Sequence, residues 1–125
     1  MKWIAIMFLA IGAFVLAGFV AIANPGAAGG PVEIVMTEMR FSPNRIDARV
    51  GQPVVLIIVN RGSQRHDLAF AAGEMPNLRG VETLTMPGES TRLTLTLDTA
   101  GVYPFLCTIP GHAAAGMTGA MYISP

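Results

Sequence analysis

The segment CTIPGHAAAGM, residues 107–117, contains the only cysteine of the chain, one of its two histidines and a methionine. His112 follows Cys107 by five residues, and Met117 follows His112 by five more. Taken singly, a cysteine or a methionine is ordinarily core filling. A thiol, an imidazole and a thioether gathered in one Gly- and Pro-containing loop instead indicate a metal site, because thiolate and thioether are soft ligands and imidazole binds the same metals.

The donor set favours copper. Copper sites for electron transfer use two histidines, one cysteine and a weakly held axial methionine. The loop supplies Cys107, His112 and Met117, and the second imidazole has to come from His66, the one other histidine. The sequence therefore offers one copy of each ligand, with no histidine or cysteine to spare.

Two alternatives use the same residues. Zinc is bound by Cys-His-His sites with an open position, but Met117 would then have no role. A catalytic pair of Cys107 and His112 is the weaker alternative, because no Asn or Asp lies nearby in sequence to orient the imidazole.

The N-terminal 23 residues are strongly apolar. After Met1-Lys2, residues 3–23 carry no charge, and about 20 apolar residues suffice to cross a bilayer. The tripeptide at 21–23, Ala-Ile-Ala, also matches a signal-peptidase site. We predict either a cleaved signal peptide or a retained transmembrane helix, and a buried core helix is the less favoured alternative. Since Lys2 stays on the cytoplasmic side, the rest of the chain is expected to be exported, in the periplasm or its equivalent.

The remaining residues are nearly neutral. Residues 24–125 carry seven arginines, no lysine and eight acidic side chains, which excludes the electrostatic footprint of a nucleic-acid-binding protein. The single cysteine has no partner for an internal disulfide, so it needs burial or a metal in an oxidising compartment.

The pattern beyond the N-terminus predicts an all-β domain. Residues 24–31 are a Gly/Pro linker by composition, and the domain follows at 32–125. Turn residues separate short apolar runs about 8–12 residues apart, which is typical of a sandwich or barrel. The run at 54–59 is apolar on both faces, so we expect a central strand, and residues 71–80 are expected to form the longest loop. The predicted strands are 32–36, 46–50, 54–59, 68–70, 81–85, 93–97, 102–106 and 120–123.

Several segments together resemble the type 1 blue-copper proteins, the cupredoxin family of plastocyanin and azurin. The similarity covers roughly residues 32–124, and the Cys-x4-His-x4-Met spacing is similar to that of the auracyanin and rusticyanin members. It implies a Greek-key β-sandwich with one copper ion, Cu(II)/Cu(I), at one end. The segments that carry the resemblance are Tyr103 to His112 with Gly116-Met117, Phe41-Ser42-Pro43, Val59 to Gly62, and His66-Asp67-Leu68.

The resemblance also implies roles outside the ligand set. Asp67 stands where family members tie the His strand to the residue after the copper cysteine, here Thr108. Pro104 departs from the family, which often has a hydrogen-bonding residue there. Leu106 and Thr108 replace the histidines that flank the cysteine in multicopper oxidases, so we expect no oxidase activity.

The function that follows is a one-electron carrier, not an enzyme. Redox proteins are expected to dock near His112, against small uncharged residues, and we expect a monomer that contacts the membrane only through 1–23 if that segment is retained. Copper storage or delivery is the alternative, although the scattered methionines do not form a chaperone-like cluster. An inert cupredoxin scaffold used for binding is the third possibility, and the complete ligand set speaks against it.

Overall fold

The computed structural model of the chain describes residues 30–71 and 83–125, which form eight strands. The predicted two-sheet, all-β sandwich is confirmed. The hydrophobic helix expected at 1–23, most of the linker and most of the 71–80 loop lie outside the described residues. The strands are β1 (Val32–Thr37), β2 (Arg40–Ser42), β3 (Arg45–Arg49), β4 (Val54–Asn60), β5 (Ala69–Phe70), β6 (Ser90–Leu95), β7 (Gly101–Leu106) and β8 (Thr118–Ser124).

Each sheet has four strands. The first has the order β2-β1-β4-β6 and the second the order β3-β8-β7-β5. Strand β4 lies between β1 and β6, as its two apolar faces predicted. The pairs β1/β4 and β3/β8 are parallel, while the other neighbours are antiparallel. The β7–β8 hairpin places the 107–117 loop at one end of the second sheet.

The strand predicted at 81–85 is not observed in its described part. Only Thr85 makes a β-bridge, with His66. Thr83 explains the difference, because its hydroxyl oxygen accepts the hydrogen bond of the Leu68 amide at 3.1 Å in place of a ladder carbonyl. The Thr83 side chain therefore replaces a backbone hydrogen bond of the ladder two residues after His66.

Aromatic side chains fill the core between the sheets near the candidate site. Phe105 of β7 is buried and meets Phe41 and Phe70 edge to face, with ring centroids 5.2 and 6.0 Å apart. Gly119 of β8 lies against the same ring, and a Cβ there would come within 2.4 Å of its carbons. Close packing of this kind holds both strands of the hairpin in place.

Pro104 is accommodated within β7. Its side chain is exposed, and its carbonyl accepts a hydrogen bond from Ala71. Because N and O of one antiparallel residue face the same neighbour, the missing N–H faces the β5 side, where that short strand ends at Phe70. The β7–β8 ladder is therefore unaffected.

Within residues 30–71 and 83–125, no helix has the length and apolar character needed to cross a membrane.

Candidate metal centre

The register of the β7–β8 hairpin sets the geometry of the 107–117 loop. Leu106 pairs with Thr118, so Cys107 and Met117 face each other one step beyond the ladder. The Cys107 amide donates to the Met117 carbonyl at 3.1 Å, and the Met117 amide donates to the His112 carbonyl at 3.1 Å. All three predicted loop ligands are thereby linked through the backbone.

His66 reaches the same region from another part of the chain. Its amide donates to the Thr85 carbonyl at 3.2 Å, and the Thr85 amide donates back at 2.8 Å. This two-bond bridge fixes the backbone of His66 between β4 and β5. His66 and His112 are 46 positions apart in sequence, yet their ring centroids are 5.0 Å apart.

The donor atoms converge on one buried point. Nδ1 of His66 lies 3.2 Å from Nδ1 of His112, which lies 3.6 Å from Sγ of Cys107. One donor atom from each of the three residues lies within 4.8 Å of the others. Met117 is fully buried beside them in the loop, and His66, Cys107 and His112 are 0, 1 and 4% exposed. Two imidazole nitrogens and a sulfur directed at a common point are a donor set that suits a soft metal such as copper.

Burial favours the neutral forms of His66 and Cys107 in the metal-free site. Desolvation lowers the pKa of His66, and the nearby His112 adds to the effect. Desolvation likewise raises the pKa of the Cys107 thiol. Metal binding here would require loss of the Cys107 thiol proton, whereas the lowered pKa of His66 favours the neutral imidazole that a metal needs.

Asp67 and Thr108 are in contact. The Thr108 amide donates to Oδ1 of Asp67 at 2.6 Å, and the Thr108 hydroxyl donates to Oδ2. Each residue directly follows a predicted ligand, so this carboxylate holds the His66 and Cys107 segments together. The structure thus brings donor atoms of His66, Cys107 and His112 together. It links Met117 to Cys107 and His112 through the backbone, and it joins Asp67 to Thr108.

Sequence reasoning missed Asn60. Its side-chain amide is fully buried; Nδ2 donates to the carbonyls of Gln64 and Thr85, both at 2.8 Å, and Oδ1 accepts from the Gly62 amide at 2.9 Å. The signal was present in the alternation of Leu56, Ile58 and Asn60, which puts this amide on the inward face of β4.

Sequence reasoning also missed Glu38, in the turn between β1 and β2. Its carboxylate accepts hydrogen bonds from Ser63 and Gln64. Ser63 and Gln64 lie 25 and 26 positions from Glu38 in the sequence, so no local sequence pattern predicts the contact.

Comparisons with known proteins agree with this geometry. The family model of the cupredoxin-like domain matches residues 6–118. The copper-resistant cuproprotein CopI of Rubrivivax gelatinosus is 29% identical over 74% of this chain and 65% of its own length, just under two thirds. CopI of Pseudomonas aeruginosa is 24% identical over 82% of this chain and 81% of its own length.

Among solved structures, the auracyanin of Roseiflexus castenholzii superposes with a TM-score of 0.65 and 26% identity, covering 77% of this chain and all of that one. The family-model match spans β1 to β7 and the loop of residues 107–117. The chain belongs to the cupredoxin-like family.

Proposed function

We propose that the chain is a mononuclear type 1 copper protein that carries single electrons between redox partners outside the cytoplasm. The observation that carries the proposal is the convergence of Nδ1 of His66, Nδ1 of His112 and Sγ of Cys107 at a buried point. The relatives support the choice of metal, since CopI is by name a cuproprotein.

The four ligands have different roles in this proposal. The Cys107 thiolate and the two imidazoles would hold the ion, and the Met117 thioether would supply a further, weaker contact. Bound copper would supply the reversible Cu(II)/Cu(I) change. The protein holds the same ligand positions for both oxidation states through the Asp67–Thr108 bonds and the His66–Thr85 bridge.

Nucleophilic chemistry at Cys107 is disfavoured. The thiol is 1% exposed and burial raises its pKa, so little thiolate is available and a substrate has no access to it. The carboxylate of Asp67 bonds Thr108 and so is engaged away from His112. The chain is not an enzyme under this proposal.

Electron exchange is proposed to occur at the His112 end. His112 is the more exposed of the two imidazoles, at 4% against 0% for His66. Exposed, small and uncharged residues surround it, namely Pro110, Gly111, Ala114 and Ala115. An apolar rim of this size suits brief encounters with redox proteins. The apolar segment at 1–23 supports export, with or without a membrane anchor.

Copper handling is the second candidate. CopI is described as copper-resistant, and a protein that sequesters or delivers copper would need the same ligands. The two functions differ in how easily copper leaves the site, since delivery needs labile ligands, while a carrier retains its ion through many redox cycles.

The test is a Cu(II) titration of the purified chain, followed by visible absorption and electron paramagnetic resonance. We expect one equivalent to give an intense thiolate-to-copper band and narrow copper hyperfine splitting. Cys107→Ser should abolish the band and weaken binding by more than about 100-fold, because it removes a ligand rather than a neighbour of one.

The matched control is Ser90→Ala, at an exposed position of β6, which leaves the four ligands in place and should keep the band. A colourless wild-type complex would overturn the type 1 assignment. Copper delivery would be favoured if the blue complex transferred its copper to a metal-free acceptor protein faster than it exchanged electrons with a redox dye.

A further inference from the structure

Glu38 lies in a two-residue turn with an unusual backbone. Thr37 pairs with Arg40, so Glu38 and Met39 alone connect β1 to β2. Met39 has a φ of 59°, in the left-handed region that residues other than glycine rarely adopt. Two-residue connections between antiparallel strands commonly need such a positive φ.

The turn directs the Glu38 carboxylate onto the loop before His66. Oε1 accepts hydrogen bonds from the Ser63 amide, from the Ser63 hydroxyl at 3.0 Å and from the Gln64 amide at 3.1 Å. Gly62 makes room for it, since a Cβ there would lie 2.6 Å from Oε1. All three donors stabilise the ionised carboxylate, so a negative charge is held at this position.

The same oxygen faces the outer nitrogen of a predicted ligand. Nε2 of His66 is buried and has no hydrogen-bond partner among the described residues. Oε1 of Glu38 lies 3.9 Å from it. The other nitrogen, Nδ1, faces His112 at 3.2 Å, so the ring stands between the metal centre and the carboxylate.

We propose that Glu38 is a positioning residue of the metal centre, accepting the Nε2 proton of His66 so that the Nδ1 lone pair is presented to copper. Metal-ligating histidines ordinarily donate their second N–H to a carboxylate or carbonyl, which fixes the tautomer and makes the ligand more basic. The gap to hydrogen-bond distance is about 1 Å, and a small shift of the Glu38 side chain, which is 41% exposed, would close it.

The charge has a second consequence, which rests on the proposed copper function. A carboxylate beside one ligand stabilises Cu(II) more than Cu(I), because the interaction grows with the charge of the ion. Glu38 therefore lowers the reduction potential of the site. Its action is indirect, through His66.

The first test needs no copper. In the metal-free protein, nitrogen-15 NMR of the His66 ring at neutral pH should show the proton on Nε2. Glu38→Gln keeps the size of the side chain and removes the charge, and it should move part of the population to the Nδ1–H tautomer. The matched control is Glu33→Gln, which removes an exposed carboxylate of β1 that pairs with Arg61 at 3.1 Å.

The second test uses the copper form. We expect Glu38→Gln to weaken Cu(II) binding about tenfold relative to Cu(I), equivalent to a rise of about 59 mV in a one-electron potential. Glu33→Gln should change neither quantity. A role confined to holding the loop would lower the unfolding midpoint of Glu38→Gln without moving the tautomer or the potential.

The outcomes separate this inference from the proposed function. A wild-type His66 ring protonated on Nδ1 would overturn the role of Glu38, and this measurement does not depend on whether a variant folds. Equal tautomer populations and potentials in Glu38→Gln and Glu33→Gln would overturn it too. If the wild type forms no blue complex, the electron-carrier proposal fails, while the NMR result still decides the tautomer.

Discussion

The 107–117 loop and the segment of residues 60–68 deliver ligands to the same point by different means. The loop is closed by backbone hydrogen bonds within itself, such as those from Cys107 to Met117 and from Met117 to His112. Segment 60–68 combines the backbone bridge between His66 and Thr85 with side-chain hydrogen bonds from Asn60, Asp67 and, from outside the segment, Glu38.

The difference has a structural cause. The loop joins adjacent strands of one sheet, so the hairpin register alone brings its ends together. Segment 60–68 crosses from β4 in one sheet to β5 in the other, and no ladder spans that gap. Its polar side chains substitute for the missing ladder, which makes this segment the more vulnerable to a single substitution.

The largest effect on stability is expected for Asn60→Ala. It removes three hydrogen bonds and leaves backbone groups of the buried segment unpaired, for a loss of about 3 kcal/mol in the free energy of unfolding of the metal-free protein. Urea unfolding measures it. Asn44→Ala, at an exposed position, should stay within about 0.5 kcal/mol of the wild type. If Asn60→Ala were as stable as Asn44→Ala, segment 60–68 would not depend on the side chain of Asn60, contrary to this comparison with the loop.

A smaller effect is expected in the loop, for Gly111→Ala. Gly111 has a φ of 83°, and open space surrounds the position of an added Cβ. The cost is therefore backbone strain alone, about 1 kcal/mol. Gly30→Ala is the control, because that position is equally open without a positive φ, and it should show no loss. If Gly111→Ala lowered the free energy of unfolding as much as Asn60→Ala does, the loop would be no less vulnerable to substitution than segment 60–68.

Met117→Leu should alter redox behaviour more than stability. The side chain is fully buried and the exchange conserves volume, so unfolding should change by less than about 1.5 kcal/mol. Loss of the axial thioether should raise the reduction potential, since a donor that favours Cu(II) is gone. Voltammetry of the copper form measures this, and Met121→Leu, equally buried in β8, should leave the potential unchanged. Equal potentials in both variants would exclude Met117 as a ligand.

The smallest effect concerns acid stability. The pKa of Glu38 lies well below its ordinary value of 4.5, at about 2. The folded state therefore binds fewer protons than the unfolded state in this window, so the carboxylate stabilises the fold above pH 4.5 and loses that contribution as pH falls through 2. Urea midpoints of the metal-free protein should decline less steeply with acid in Glu38→Gln than in the wild type. The difference is expected to be small because water screens this exposed group. If the urea midpoints of both proteins fell equally with acid, the Glu38 carboxylate would not stabilise segment 60–68.

Several parts of the fold were predictable because their signals are local. Apolar residues on both faces predict strand β4. Strands β7 and β8 are predicted because they flank the loop with the Cys-x4-His-x4-Met spacing. The parallel pairs β1/β4 and β3/β8 were not predictable, since alternation within a strand does not specify its neighbour. Within the run predicted at 81–85, the prediction for the described residues 83–85 was wrong. Thr83 and Thr85 suit a strand, but the Thr83 side chain bonds Leu68 instead.

The amino-acid sequence by itself determined the donor inventory and the family. The chain has one cysteine and two histidines, and Cys107, His112 and Met117 are equally spaced. Few choices of metal and ligand remain, because the metal preference of each donor depends on its own side chain. Only the tertiary structure decided what surrounds them. Glu38 reaches His66, and Asn60 reaches the Thr85 carbonyl, from distant positions in the chain. Contacts between such distant positions depend on how the chain folds back on itself, which local sequence patterns do not predict.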